Sequence, residues 1–161
     1  NRKRALFDEA LELAESGVTI DITAYPVEKG EDAWSAADAL ARFLESDCDP
    51  ARVTVSSDGG GCLPEFDANG EITRWGVGTP ESLAQTLAEL LDTGWPLEDV
   101  LPAFTSNVAK LLRLRGKGRI EVGADADLVV LDGAHAVRDV MCRGRWHVRD
   151  GSVAVRGTFE E

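Results

Sequence analysis

Histidine, cysteine and long apolar runs are scarce in this 161-residue sequence. Its two histidines, His135 and His147, do not form a His-x-His pair, so a metal site built from several histidines is excluded within these residues. The three cysteines, an odd count without Cys-x-x-Cys spacing, disfavour a disulfide framework and a thiolate zinc site. We expect them to be free thiols.

Membrane and nucleic-acid partners are also disfavoured. No apolar run approaches the roughly 20 residues that a membrane span needs, and the first residues lead into an amphipathic helix rather than the apolar core of a signal peptide. Acidic residues outnumber basic ones, 29 to 17, giving a net charge of −12, which argues against nucleic acid and anionic membranes as partners. A cytoplasmic protein is the expectation.

The first half of the chain alternates helical and strand patterns. Apolar residues at helical spacing predict a helix near residues 3–16, with a buried stripe of Leu6, Ala10, Leu13 and Ala14. A strand over Val18–Ala24, a second helical stripe from Ala33 to Leu44, and a β-branched strand over Val53–Val55 follow. This order predicts an α/β fold with parallel strands, and a length of 161 residues also fits a piece of something larger.

Asp58 is the candidate for chemistry because it stands where the strand at Val53 ends. In barrels of alternating strands and helices, residues at the carboxyl ends of strands face the active site, so a carboxylate there can bind a metal or carry a proton. The alternative is a loop aspartate that caps a turn. The three glycines that follow, Gly59 to Gly61, are interpreted as a close-approach loop around a metal site.

The remainder of the chain changes texture. Asn69-Gly70 predicts a hairpin turn, and helices are predicted over residues 79–94, 97–104 and 106–114. After Gly116, short β runs separated by Asp-Gly and Arg-Gly turns predict an antiparallel sheet. The four tryptophans, Trp34, Trp75, Trp95 and Trp146, are interpreted as packing residues rather than pocket walls.

Several motifs resemble the amidohydrolase superfamily. They are Thr105-Ser106-Asn107-Val108-Ala109, Lys117-Gly118-Arg119-Ile120 and Gly123-Ala124-Asp125-Ala126-Asp127-Leu128. More narrowly, Gly17 to Thr23, Arg52 to Gly59 and the closing residues Val148 to Gly151 with Val155 to Glu160 resemble the isoaspartyl (β-aspartyl) dipeptidases. The resemblance spans essentially the whole chain.

The resemblance implies a (β/α)8 barrel of the TIM type followed by a small β-sandwich. Residues 1–115 would be the C-terminal segment of the barrel, and residues 116–161 would be part of the sandwich. It also implies hydrolysis of β-aspartyl dipeptides by a zinc-activated hydroxide, with two zinc ions per active site. Asp58 would be a metal ligand and the general acid/base that moves the proton from the attacking hydroxide to the leaving amine.

Two further residues are implied to bind substrate. Asn1-Arg2 resembles the end of a Thr-His-x-Asn-Arg motif whose arginine holds a substrate carboxylate, a task that suits a planar bidentate donor. Cys62 falls where the family usually has a serine that contacts substrate, and a thiol is a poorer hydrogen-bond donor. That departure leaves the exact substrate open.

The missing histidines and strands indicate a C-terminal part of the enzyme. The other zinc ligands would lie outside this chain, and the expected partners are the N-terminal part of the same enzyme, a small peptide substrate and further copies in a homo-oligomer. Two alternatives stay open. One is another amidohydrolase that acts on cyclic amides or N-acyl groups, and the other is a metal-free interaction or structural module.

Overall fold

A computed structural model describes residues 2–27 and 30–157 of this chain and shows a mixed α/β architecture. Asn1 and the Thr158-Phe159-Glu160 part of the closing motif lie outside the described residues. The chain divides into two compact units, residues 1–86 and 87–161. In the described part, no helix is both long enough and apolar enough to cross a membrane. The predicted domain boundary at 115/116 stays a prediction.

The first unit begins with two helices that alternate with two parallel strands. These elements are α1 (Arg4–Glu15), β1 (Ile20–Thr23), α2 (Ala36–Glu45) and β2 (Val53–Ser56). β1 and β2 pair in parallel, from Ile20 opposite Val53 to Thr23 opposite Ser56. The predicted helix–strand order and the parallel pairing are therefore confirmed. A short 3-10 helix, Pro50–Arg52, precedes β2.

The core of this unit forms where α1 and α2 contact the strands. Its largest buried side chains include Phe43, Leu40, Ile22 and Val53, and the predicted double-sided burial of Val53 to Val55 is confirmed. The predicted stripe of α1 is wrong in part. Phe7, Ala10 and Ala14 are buried, whereas Leu6 and Leu13 are 46% and 51% exposed, because the helix turns the Phe7 face inward.

A hairpin follows β2, as the Asn69-Gly70 signal predicts. Its antiparallel strands are β3 (Cys62–Phe66) and β4 (Ile72–Val77). At the turn, the Asp67 carboxylate accepts hydrogen bonds from the backbone N–H groups of Asn69 and Glu71 at 2.8 and 3.0 Å. These donors, with Glu71 first, hold the pKa of Asp67 below its usual value. Trp75 is 63% exposed, so its interpretation as a packing residue is wrong.

The helices that follow are α3 (Glu81–Asp92), α4 (Leu97–Val100) and α5 (Ser106–Leu111), with a 3-10 turn at Leu101–Phe104 between the last two. Leu90, Val100 and Ala103 are buried. The last two predicted helices are shorter than expected. Pro102 has no N–H to donate, which favours the tighter turn before α5.

The second unit ends in a four-stranded antiparallel sheet. Its strands, in spatial order, are β5 (Leu128–Leu131), β6 (Val137–Cys142), β7 (Arg145–Arg149) and β8 (Ser152–Val153). Arg143-Gly144 and Asp150-Gly151 turn between strands, and all four residues have positive φ angles. The predicted antiparallel sheet is confirmed.

Candidate functional site

The backbone holds Asp58 just beyond the carboxyl end of β2. β2 ends at Ser56, and Asp58 adopts the left-handed conformation with φ +48°, which turns the chain sharply away from the strand. Its side chain is exposed. A carboxylate in this position is accessible to a ligand while its main chain is fixed by an ordered strand, which is the situation that catalysis requires.

Glycines let the neighbouring backbone close on Asp58. The Gly61 N–H donates to the Asp58 carbonyl at 2.8 Å, and Gly78 is tied to the same loop by bonds with Gly60 and Gly61 at 2.9 and 3.0 Å. A Cβ on Gly61 would lie 2.8 Å from the Asp58 carbonyl oxygen, and one on Gly78 would lie closer still. The backbone of this loop therefore packs closely, and its place around a metal site stays a prediction.

A second carboxylate, Asp21, lies on β1 opposite Thr54. Its two oxygens accept hydrogen bonds from the hydroxyl groups of Thr54 at 2.7 Å and Ser56 at 2.6 Å. Thr54 and Ser56 are two residues apart on β2, so both hydroxyls lie on the same face of the strand. Asp21 therefore fixes the end of the strand that leads to Asp58. The sequence did not reveal this, since strand pairing brings together residues far apart in the chain.

Arg2 lies 4% exposed at the start of the described chain. Its guanidinium stacks on the ring of Tyr25, 4.4 Å from the ring centroid, and its Nη1 donates to the Trp34 carbonyl at 3.0 Å. The Trp34 ring itself is stacked between Arg4 and Arg42, at 4.0 and 3.6 Å. Sequence reasoning missed Tyr25, for which the only signal is an aromatic residue just past a strand.

Cys62 is exposed and begins β3, directly opposite Val77. It lies on the same short segment as Asp58, so the loop that fixes Asp58 also fixes the first residue of the hairpin. Arg2 is held by different neighbours, Tyr25 and Trp34. All three cysteines are free thiols, as predicted.

The described residues do not form a complete metal site. Across residues 2–27 and 30–157, no three or more histidine, cysteine or acidic side chains group closely enough to hold an ion. His135 instead lies 2.8 Å from Asp92, through its Nδ1. Asp58 fits one position of a metal site as a single oxygen donor, and a zinc site needs about three or four protein ligands. The remaining ligands would have to come from outside this chain.

Comparisons with known proteins agree with the motifs. The chain is similar to two solved structures of β-aspartyl dipeptidase from Fervidobacterium islandicum AW-1. One, in complex with a beta-Asp-Leu dipeptide, is 35% identical with a TM-score of 0.82, and the other is 30% identical with a TM-score of 0.77. Both alignments cover 98% of this chain, but only 41% and 38% of those chains.

Sequence relatives point to the same superfamily. An allantoinase from Rubrobacter xylanophilus is 37% identical over 53% of this chain and 20% of its own length. This chain therefore spans less than half the length of each of these three proteins. The model of the amidohydrolase family matches residues 4–147. The chain belongs to the amidohydrolase family.

Proposed function

We propose that the protein containing this chain hydrolyses β-aspartyl dipeptides in a metal-dependent reaction, and that Asp58 is its general acid/base. The likeness to two β-aspartyl dipeptidase structures over 98% of this chain carries the proposal. The exposed carboxylate at the end of a parallel strand supports it, because family members of this architecture place their chemistry at that edge. The chain would form part of a (β/α)8 barrel completed by the rest of the protein.

The role of Asp58 follows from the bonds that change. Water adds to the carbonyl carbon of the amide formed by the aspartyl side chain, and the Asp58 carboxylate accepts the proton that this water gives up. The protonated carboxyl then donates that proton to the amide nitrogen as the carbon–nitrogen bond breaks. Aspartate and a free amino acid are the products, and Asp58 returns to its ionised form. Zinc, held by Asp58 and by ligands outside this chain, would supply an activated water.

Arg2 and Cys62 are proposed to contact the substrate. A guanidinium presents planar paired donors that match a carboxylate, and a dipeptide joined through an aspartate side chain carries two carboxylates. The Cys62 thiol is a weak donor, so its contact with the substrate would contribute less than a serine hydroxyl does. The proposed partner of β1 and β2 is the remainder of the barrel, since two parallel strands leave backbone hydrogen-bonding groups at both edges.

Hydrolysis of another amide is the second candidate, and the 37% identity to an allantoinase favours it. A comparison of turnover on different amides separates the two candidates. The complete metal-loaded protein is assayed with β-Asp-Leu, α-Asp-Leu, allantoin and an N-acetylated amino acid at matched concentrations. The proposal predicts turnover of β-Asp-Leu at least tenfold above each other compound, which is about 1.4 kcal/mol of transition-state preference. Faster turnover of allantoin or the acetyl compound would overturn it.

A further inference from the structure

We propose that Tyr25 is a positioning residue whose ring presents the guanidinium of Arg2 to a carboxylate of the substrate. The inference rests on the proposed function, and it adds a residue that the family motifs do not include. Three observations carry it: the backbone that fixes Arg2, the stack that fixes its guanidinium, and the place of Tyr25 on the sheet.

The backbone of Arg2 is anchored by a short antiparallel bridge. The Trp34 N–H donates to the Arg2 carbonyl at 2.9 Å, Lys3 pairs with Ala33, and the Arg4 N–H donates to the Asp32 carbonyl at 3.1 Å. The main chain from Arg2 to Arg4 is thereby fixed against the segment that leads into α2. Only the long side chain of Arg2 remains to be ordered.

The contacts of the guanidinium order that side chain through one of its faces and one of its N–H groups. Tyr25 covers one face at 4.4 Å, and the Trp34 carbonyl takes one N–H of Nη1 at 3.0 Å. Stacking uses the face of the group and leaves the in-plane N–H donors at its edge, where a carboxylate binds. Within the part of the chain that the structure describes, these two contacts are with neutral groups, and a cation that is 4% exposed is stabilised by a nearby anion. A substrate carboxylate would supply that charge.

The register of the strands brings Tyr25, and the Arg2 guanidinium stacked on it, to the edge of the sheet that carries Asp58. Thr23 ends β1 and Ser56 ends β2, and the two pair directly. The Ala24 N–H then donates to the Ser56 carbonyl at 2.6 Å, which keeps the two chains together past the ladder. Tyr25 and Asp58 therefore occupy equivalent places, each just beyond its strand, at the carboxyl edge of the parallel pair. Tyr25 is 37% exposed, so its ring is accessible there.

The test measures how strongly a carboxylate is preferred over an amide. In an Asp58→Asn background, whose turnover we expect to be at least about a hundredfold slower, calorimetry gives the Kd of β-Asp-Leu and of its two single carboxamides. With Tyr25 intact, β-Asp-Leu should bind more tightly than one of its carboxamides. Tyr25→Leu should raise the Kd of β-Asp-Leu about threefold to tenfold and reduce that preference. Tyr25→Phe retains a ring and should restore both values to within about twofold.

Two controls separate positioning from folding. Trp146→Leu removes another ring that an arginine covers, since the Arg149 guanidinium lies 5.7 Å from the centroid of the Trp146 ring. This variant should leave Kd unchanged. In the active enzyme, Tyr25→Leu should raise KM by the same factor while kcat stays within about twofold. Equal Kd values for Tyr25→Leu and the intact protein, or a loss equal for acid and carboxamides, would overturn the inference. Failure of the proposed function would appear differently, as no hydrolysis of β-Asp-Leu with Tyr25 intact, and the inference would fall with it.

Discussion

Asp58 in the first unit is used differently from Asp139 and Asp127 in the second unit. In the second unit, Asp139 is 4% exposed and accepts hydrogen bonds from the Arg138 Nε at 2.7 Å and the Asp150 N–H at 2.5 Å. Asp127 is likewise bonded by Lys117 and by the Arg143 N–H. In the first unit, Asp58 is exposed, and the neighbouring loop bonds its main chain. Asp139 and Asp127, which hold the second unit's sheet together, are thus hydrogen-bonded to local partners. The carboxylate of Asp58, at the end of its strand, is exposed.

The isolated chain provides the largest expected effect. Residues 1–161 alone should neither retain two zinc ions nor hydrolyse β-Asp-Leu, because a zinc site needs about three or four donors and Asp58 is one. Elemental analysis after dialysis, together with a turnover assay, checks this expectation. Stoichiometric zinc together with hydrolysis would show that the site is complete within this chain.

Crowding the Asp58 loop should cost activity without removing any functional group. A Cβ at Gly78 would overlap the Asp58 carbonyl oxygen, so the loop must shift in the Gly78→Ala variant. Displacements of about 1 Å can cost a hundredfold, and we expect kcat to fall roughly tenfold to hundredfold. Gly133→Ala is the matched control, since no atom lies within 4 Å of its added Cβ. Equal kcat values for the two variants would contradict the role of the close approach.

Acid should weaken the second unit through its paired aspartates. Hydrogen bonds from Arg138 and the Asp150 N–H lower the pKa of Asp139, and those from Lys117 and the Arg143 N–H lower the pKa of Asp127. A lowered folded-state pKa gives stability that is present above the unfolded value near 3.8 and is lost as pH falls through the folded value. Urea midpoints between pH 6 and pH 2 measure this loss. Asp139→Asn should flatten the acid limb, and an unchanged limb would contradict the assignment.

Raising the pH should destabilise the second unit through Lys117. The hydrogen bonds that the Lys117 ammonium donates to the carboxylates of Asp125 and Asp127 raise its pKa. Its contribution to stability is therefore complete below the unfolded value of 10.5 and is lost as pH rises through the higher folded value. The same urea series, extended above pH 10, belongs to this test, and Lys117→Met should remove the alkaline part of the loss.

Asp21 should produce the smallest effect on activity. Asp21→Asn keeps an oxygen that accepts one hydroxyl hydrogen bond and adds an NH2 that donates to the other hydroxyl, so kcat should stay within about threefold. Asp21→Ala leaves the Thr54 and Ser56 hydroxyls to find other partners, at a cost of about 1–3 kcal/mol in unfolding free energy. Urea unfolding of both variants makes the comparison, and a larger loss for Asn than for Ala would contradict this account.

Local patterns in the sequence predicted the elements well and the contacts between them poorly. The alternation of helices and strands, the Asn69-Gly70 turn and the outward position of Asp58 follow from residues close together in the chain. The exposure of Leu6 and Leu13 does not, because two helical stripes on α1 compete and tertiary packing selects the one with Phe7. The contacts of Asp21 and Tyr25 depend on strand register and on the bridge between Lys3 and Ala33, which no local spacing specifies.

The contrast between Asp58 and Asp139 tests the central claim most directly. In the complete metal-loaded protein, kcat for β-Asp-Leu and the melting temperature are measured for Asp58→Asn and Asp139→Asn side by side. Asp58→Asn should lower kcat at least about a hundredfold and leave folding largely intact, because asparagine keeps the size of the side chain and loses the proton carrier. Asp139→Asn should lower the melting temperature and leave kcat at 20 °C unchanged. Near-normal turnover of Asp58→Asn would contradict the account and make Asp58 a turn residue.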